Sequence, residues 1–145
     1  MARLYDRVAL IGLGLIASSM AHAMRAHGLA GHIAGHAKTA GTRKIARDMR
    51  LCDSVHDTAA EAVRDADLVV LAVPVGAMGQ GAAEIAPHLK PGATVTDVGS
   101  VKQAVIVHHP VIFGQGRMKT GFILALPHTF QHQLAGQWCA RILAL

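Results

Sequence analysis

The chain has 145 residues, of which 52% are hydrophobic and 3% aromatic, and its formal net charge is +5. This length suits one domain with a substantial hydrophobic core, and the aliphatic content excludes a disordered chain. The basic residues are scattered and have few aromatic neighbours, which argues against nucleic acid as the main partner. Two distant cysteines argue against a disulfide scaffold or a zinc ribbon. No signal-peptide order or membrane-length apolar run occurs, so we expect a cytoplasmic protein.

Strand and helix patterns alternate from the beginning of the chain. Residues 7–11 are a β-branched and aliphatic run that stops at a glycine, which is typical of a strand buried on both faces. Residues 15–27 carry apolar side chains at helical spacing. A weak second strand follows at 31–35, a basic helix at 39–49 and a short strand at 52–55.

The same order continues in the next part of the chain. Residues 58–65 predict a helix that opens with threonine and has glutamate three residues later, the pattern of a capping box. The run DLVVLAV at 67–73 predicts the clearest strand, followed by a helix at 76–89 and a buried strand at 93–98. Strands that alternate with helices predict an α/β fold of the Rossmann type, with a doubly wound parallel sheet.

The alternation is lost after about residue 103. The stretch that follows has no clear helical period and no acidic residue, since the last acid of the chain is Asp97. Residues 121–126 could add a sixth strand. We therefore expect the C-terminal part to be irregular.

A glycine fingerprint, GLGLIA at residues 12–17, lies at the first strand-to-helix turn. Gly12 permits a sharp turn, and Gly14 leaves room for a pyrophosphate beside the backbone. Ala17, at the third position, adds only a methyl group to the helix–strand contact. A helix that begins at Leu15 offers free N–H groups and a partial positive charge to phosphates. This placement predicts a dinucleotide site rather than a turn that binds nothing.

The end of the second predicted strand bears on the choice between NAD and NADP. NAD sites usually have Asp or Glu there, but this chain has HAKT and no carboxylate between Asp6 and Asp48. Lys38 could instead meet a 2′-phosphate. Further candidates for that contact are Thr39, Arg43, Lys44 and Arg47, although much of this stretch also suits a solvated helix face. The sequence slightly favours NADP over NAD.

Three stretches together resemble the prephenate dehydrogenase family, which includes the arogenate and cyclohexadienyl dehydrogenases of tyrosine biosynthesis. They are residues 8–39, residues 60–102 and, within the latter, the motif DVGSVK. The resemblance covers residues 7 to about 106. It implies an NAD(P)-dependent oxidoreductase, which couples hydride transfer to loss of the ring carboxylate of a cyclohexadienyl dicarboxylate. Prephenate and arogenate both remain open as substrates.

The resemblance also implies the residues of the site. It places Ser100 as the active-site serine, which supports the ring hydroxyl and the catalytic histidine. DVGSVK lies just past a buried strand, where open α/β sheets bind ligands, although a serine there could also cap the next helix. With Lys38 added, the predicted cofactor-binding residues are Gly12, Leu13, Gly14, Leu15, Ile16, Lys38, Ala72, Val73 and Pro74.

The chain departs from the family pattern after this serine. The family has its catalytic histidine in a Gly-His-Pro context, which is absent here. His128 lies at a plausible place but in the context LPHT, so its role stays open. His128 and His132 have helical i, i+4 spacing without a third ligand, and we predict no metal site.

The family's helical second domain, which forms its homodimer, is not recognisable before residue 145. We therefore expect an NAD(P)-binding domain at 1–106 and a divergent or truncated tail at 107–145, from a frame slip, a truncated gene or a fragment. Such a polypeptide is expected to be weakly active or inactive alone. A non-catalytic NAD(P)-binding module and a non-functional remnant remain the alternatives. The expected partners are a dinucleotide and the cyclohexadienyl substrate, with no nucleic acid and no membrane.

Overall fold

The computed structural model describes residues 3–98, and within them strands and helices alternate along the chain. The strands are β1 (Tyr5–Ile11), β2 (Ala30–His36), β3 (Ser54–His56), β4 (Leu68–Leu71) and β5 (Thr94–Asp97). The helices are α1 (Leu15–Ala26), α2 (Ala40–Asp48), α3 (Ala59–Ala62) and α4 (Val75–Ile85), and a 3₁₀ turn (Ala86–His88) follows α4. Ser100, His128 and the sixth strand predicted at 121–126 lie outside the described residues.

The five strands form one parallel sheet in the order β3-β2-β1-β4-β5. The centre is β1, where Ala9 pairs with Ala34 of β2 on one side and with Val69 of β4 on the other. The chain reverses its direction across the sheet between β1 and β4. Such a switch point opens a crevice at the carboxyl ends of the strands. The predicted Rossmann-type parallel sheet is confirmed.

The two faces of β1 belong to two hydrophobic layers. Val8 and Leu10 pack on one face with Met24 of α1, and all three are 0% exposed. Ala9 and Ile11 pack on the other face in the cluster that contains Ile85 of α4. Each large aliphatic side chain buried in this way contributes roughly 1.5–3 kcal/mol. The two layers hold the first strand, and therefore the glycine turn at its end, in a fixed place.

Several element ends differ from those predicted. The strand expected at 52–55 begins at Ser54, because the side chain of Asp53 takes a backbone bond of the ladder: its Oδ2 accepts the N–H of Ile33, in the middle of β2, at 2.7 Å. The strand expected to run to residue 73 ends at Leu71. The helix expected to reach residue 89 becomes a 3₁₀ turn after Ile85, because Pro87 has no N–H for the next α-helical hydrogen bond.

Among residues 3–98, no helix is long and apolar enough to cross a lipid bilayer.

Candidate functional site

A groove of about 300 Å³ opens at the carboxyl ends of β1 and β4. The loops after β1, β2 and β4 supply its walls, together with the first turn of α2. The lining residues are Gly12, Leu13, Gly14, Ala37, Lys38, Thr39, Thr42, Ala72, Val73 and Pro74. The structure thus brings together the predicted cofactor-binding residues except Leu15 and Ile16, which follow Gly14 at the start of α1 and do not line the groove. Ala72, Val73 and Pro74 form the link from β4 to α4 rather than the end of the strand.

Gly12 is the residue of the first turn at which the backbone conformation and the available space both require glycine. Its φ is +95°, and a Cβ there would lie 2.4 Å from the carbonyl oxygen of Ala72. Its N–H donates to the carbonyl of His36 at 2.8 Å. The absence of a side chain therefore lets the turn pass directly against the backbone of Ala72, just after β4.

Gly14 differs from Gly12, because a Cβ at this position would meet no atom within 4 Å. Gly14 is the N-cap residue of α1 and has no side chain that could bond the first turn of that helix. Leu15 and Ile16 are 89% and 49% exposed, and as the first residues of α1 their backbone N–H groups have no partner within the helix. The open space beside Gly14 and the uncapped helix end together match what a pyrophosphate needs.

The loop after β2 brings Lys38, Thr39 and Thr42 to the groove. Lys38 is exposed and forms no ion pair within residues 3–98. The Thr39 hydroxyl caps α2 by accepting the N–H of Thr42 at 3.2 Å. His36 ends β2, and its Nδ1 lies 3.2 Å from the carbonyl of His56. None of the lining residues that the structure describes is a carboxylate.

The other basic candidates for a 2′-phosphate have partners elsewhere. Arg43 pairs with Asp57 at 3.1 Å, and Arg47 pairs with the same carboxylate at 3.0 Å. Hydrogen bonds from these arginines, Arg47 first, hold the pKa of Asp57 below its usual range. Lys44 pairs with Asp48 along α2. None of these three cations lines the groove.

A larger cavity of about 620 Å³ lies at the opposite edge of the sheet, where α1 and α2 end and β3 begins. Three arginines line it, but Arg25 already donates to the carbonyl of Arg50 and to Asp53, and Arg47 to the carbonyl of Val55. Burial raises the pKa of the Cys52 thiol there to about 11. The arginines neutralise helix C-termini, whose partial negative charge opposes an anion. The smaller groove is the better candidate site.

The groove can bind a ligand but offers little acid–base chemistry from its own lining. Lys38 is the one titratable residue among the lining residues that the structure describes. Residues 3–98 also contain no group of three His, Cys, Asp or Glu residues that could hold a metal ion. A group that takes a proton from a substrate would have to come from another part of the protein.

Sequence comparison relates the chain to one enzyme family. The family model described as the nucleotide-binding domain of prephenate dehydrogenase matches residues 20–125. A cyclohexadienyl dehydrogenase from Zymomonas mobilis subsp. mobilis is 46% identical over 102 residues, which are 70% of this chain and 35% of that protein. The chain thus spans about a third of the length of this curated relative.

Solved structures share the fold. Prephenate dehydrogenase from A. aeolicus, in complex with hydroxyphenyl propionate and NAD⁺, superposes with a TM-score of 0.72 at 21% identity, over 96% of this chain and 56% of that one. Arogenate dehydrogenase from Synechocystis gives 0.69 at 20% identity, over 95% and 56% of the two chains. With the fold shared and the family model spanning residues 20–125, this chain belongs to the prephenate dehydrogenase nucleotide-binding domain family.

Proposed function

We propose that this chain binds NADP(H) or NAD(H) and serves a dehydrogenase acting on a cyclohexadienyl substrate of the prephenate or arogenate type. The open space beside Gly14 carries the proposal, because it faces an uncapped helix N-terminus at the switch point of a parallel sheet. Family membership supports the reaction class. The cyclohexadienyl dehydrogenase from Zymomonas mobilis supports the substrate class.

Three parts of the groove would hold three parts of the cofactor. The N–H groups of Leu15 and Ile16 would bind the pyrophosphate beside Gly14. Lys38 would lie at the adenosine ribose, and the loop of residues 72–74 at the nicotinamide. When bound, the cofactor supplies the hydride acceptor or donor, and the chain's own residues hold and orient it.

We propose a preference for NADP over NAD. Lys38 has no ion-pair partner in the described part of the chain, and the hydroxyls of Thr39 and Thr42 lie on the same wall. No carboxylate occurs among the groove residues of the range 3–98, so none of these residues repels a 2′-phosphate. Exposure of Lys38 weakens its attraction by screening, which makes the expected preference modest.

The remaining assignments follow from the sequence. We propose that Ser100 hydrogen-bonds the substrate hydroxyl, since it comes three residues after β5 in a sheet that binds ligands at carboxyl ends. The proposed nucleotide domain is 1–106, the proposed location is the cytoplasm, and the polypeptide is proposed to turn over weakly by itself.

Titration calorimetry of the 145-residue protein with NADP⁺ and NAD⁺ tests the proposed function. The wild type should bind both, NADP⁺ more tightly. Gly14→Val should fold, because its Cβ meets open space, and should lose both cofactors, because the side chain occupies the pyrophosphate position. Gly81→Val in α4, where a Cβ also meets no atom within 4 Å, is the control that should keep binding. Absence of wild-type binding would refute the function, and retained binding in Gly14→Val would move the site elsewhere.

A further inference from the structure

Arg43 connects α2 to the loop that forms the Lys38 side of the groove. Its Nη1 donates to two consecutive carbonyls of that loop, those of Ala37 at 2.8 Å and Lys38 at 3.0 Å. Its Nε donates to Asp57 at 3.1 Å. Three of the five N–H donors of a guanidinium are therefore used inside the protein.

This arrangement is more constrained than an ordinary surface ion pair. The Arg43 side chain is 15% exposed, whereas Lys44, the next residue, is 76% exposed in its pair with Asp48. Asp57 also accepts from Arg47 at 3.0 Å, so two helix arginines share one carboxylate from the loop after β3. The planar guanidinium of Arg43 is thus held by Asp57 through Nε, while its Nη1 binds the loop carbonyls of Ala37 and Lys38.

We propose that Arg43 is a positioning residue, which sets the preference for NADP over NAD by fixing the backbone of Ala37–Lys38 and thereby the Lys38 ammonium. The inference rests on the nucleotide groove proposed above. Lys38 provides the positive charge for the phosphate, and Arg43 holds the backbone that carries Lys38 in position. A lysine on an unrestrained loop spends more conformational entropy when it meets a phosphate, so preorganisation increases affinity.

Direct contact of Arg43 with the 2′-phosphate is the competing explanation. Arg43 does not line the groove, and its paired donors face the loop carbonyls and Asp57. The two explanations differ in a double-mutant cycle. If Arg43 acts through Lys38, its replacement has little further effect once the Lys38 ammonium is gone.

The test measures NADP⁺ and NAD⁺ dissociation constants for wild type, Arg43→Met, Lys38→Met and the double variant at one ionic strength. Arg43→Met should weaken NADP⁺ about tenfold, and NAD⁺ less than about threefold, as expected for loss of roughly one charged hydrogen bond's contribution. The double variant should bind NADP⁺ within about twofold of Lys38→Met.

Arg47→Met is the matched control. It removes one positive charge of α2 and one partner of Asp57, but Arg47 bonds the carbonyl of Val55 and not the loop at the groove. It should leave the ratio of the two dissociation constants unchanged. Backbone amide exchange at residues 37–39 in the cofactor-free protein should accelerate in Arg43→Met and not in Arg47→Met.

Four outcomes would overturn the inference: an unchanged ratio in Arg43→Met, an equal change in Arg47→Met, unaltered amide exchange, or a full tenfold loss that persists without Lys38. If wild type binds neither cofactor, the proposed function fails and the inference fails with it, whereas an unchanged ratio in a protein that binds overturns the inference alone. If Arg43→Met does not fold by circular dichroism, Arg43→Lys replaces it and should shift the ratio in the same direction. A lysine keeps the charge but cannot grip both carbonyls and Asp57 at once.

Discussion

Gly12 and Gly14 are two residues apart, and we expect them to be required for different reasons. At Gly12 the backbone itself needs glycine, because φ is +95° and a Cβ would meet the carbonyl oxygen of Ala72. At Gly14 the protein has room for a side chain, because a Cβ there meets no atom within 4 Å. A side chain at this position would overlap only with the proposed ligand. Gly12 is thus required by the fold, whereas we propose that Gly14 is required by the ligand.

We therefore expect Gly12→Ala to lower the free energy of unfolding by more than about 2 kcal/mol, from the positive φ and the overlap with Ala72. Gly14→Ala should change it by less than about 1 kcal/mol, since its φ of −87° suits any residue. Urea denaturation of both variants measures the difference. Equal losses of stability would contradict the separation of roles.

A second residue-scale feature is a chain of polar groups between β2 and β3. The hydroxyl of Ser54 lies 2.8 Å from Nε2 of His32 and 2.9 Å from Nε2 of His56. A hydroxyl has one proton, so it can donate to one imidazole and must accept from the other. Burial lowers the pKa of His56, and Arg7, His32 and Arg47 lower it further, against an opposing effect of Glu61.

This lowered pKa predicts acid sensitivity. As pH falls below the ordinary histidine value of 6.5, the unfolded chain binds a proton at this position that the folded protein resists, so stability decreases. Solvent screening keeps the effect well below the limit of about 1.4 kcal/mol per pH unit for one proton. Urea denaturation at pH 7.5 and pH 5.5 should show a smaller pH difference for His56→Gln than for wild type. His22→Gln, at an exposed position of α1, is the control, and an unchanged difference in His56→Gln would contradict the prediction.

At the scale of elements, the short helix α3 depends on its N-cap residue, Thr58. The Thr58 hydroxyl accepts the N–H of Glu61 at 3.2 Å, which is one half of the capping box expected from the sequence. Thr58→Ala should lower stability by about 1 kcal/mol. Ser19→Ala, an exposed position in α1, should change it by less than about 0.5 kcal/mol. Thermal unfolding compares the two, and equal shifts would show that the cap contributes nothing.

The order and type of the elements in residues 3–98 were predictable from the sequence, because buried strands and amphipathic helices have different apolar periods. The ends of the strands and helices were less predictable, because contacts between residues distant in sequence determine them. Asp53 has strand-like neighbours in sequence, yet its side-chain carboxylate accepts the N–H of Ile33 in the middle of β2. Pro87 is a local signal that would have placed the end of α4 correctly, because proline cannot continue the hydrogen-bond ladder.

The glycine turn at the groove was predictable from the sequence, because a local pattern of a few neighbouring residues determines it, as is also true of the strands. The ion-pair partners of the basic residues in α2 could not be predicted from the sequence. Arg43 and Arg47 look like free cations in sequence, and only the fold brings the carboxylate of Asp57 to them. Among the basic candidates, geometry leaves Lys38 at the groove.

At the scale of the whole molecule, cofactor binding and catalysis should separate. Lys38 is the one titratable residue among the groove's described lining, whereas general acid–base help is typically worth ~10²–10⁴ in rate. We expect the 145-residue polypeptide to bind cofactor and to turn over prephenate or arogenate far below an ordinary rate of ~10 s⁻¹. Steady-state assays with both substrates and both cofactors measure this. Turnover near that rate would contradict the expectation. Loss of this turnover in Ser100→Ala would then establish that Ser100 takes part in the reaction.

The open helix ends at the groove have a thermodynamic consequence. Among residues 3–98, no N-cap side chain bonds the first turn of α1 or of α4, so a ligand can take N–H groups that these helices leave without a partner inside the helix. A dinucleotide that binds there binds the folded chain and not the unfolded one. At a free concentration of a hundred times its dissociation constant, it would add about 2.7 kcal/mol to the free energy of unfolding. The heat resistance of the protein, and its survival against proteases that act on opened chains, would then follow the cell's supply of cofactor.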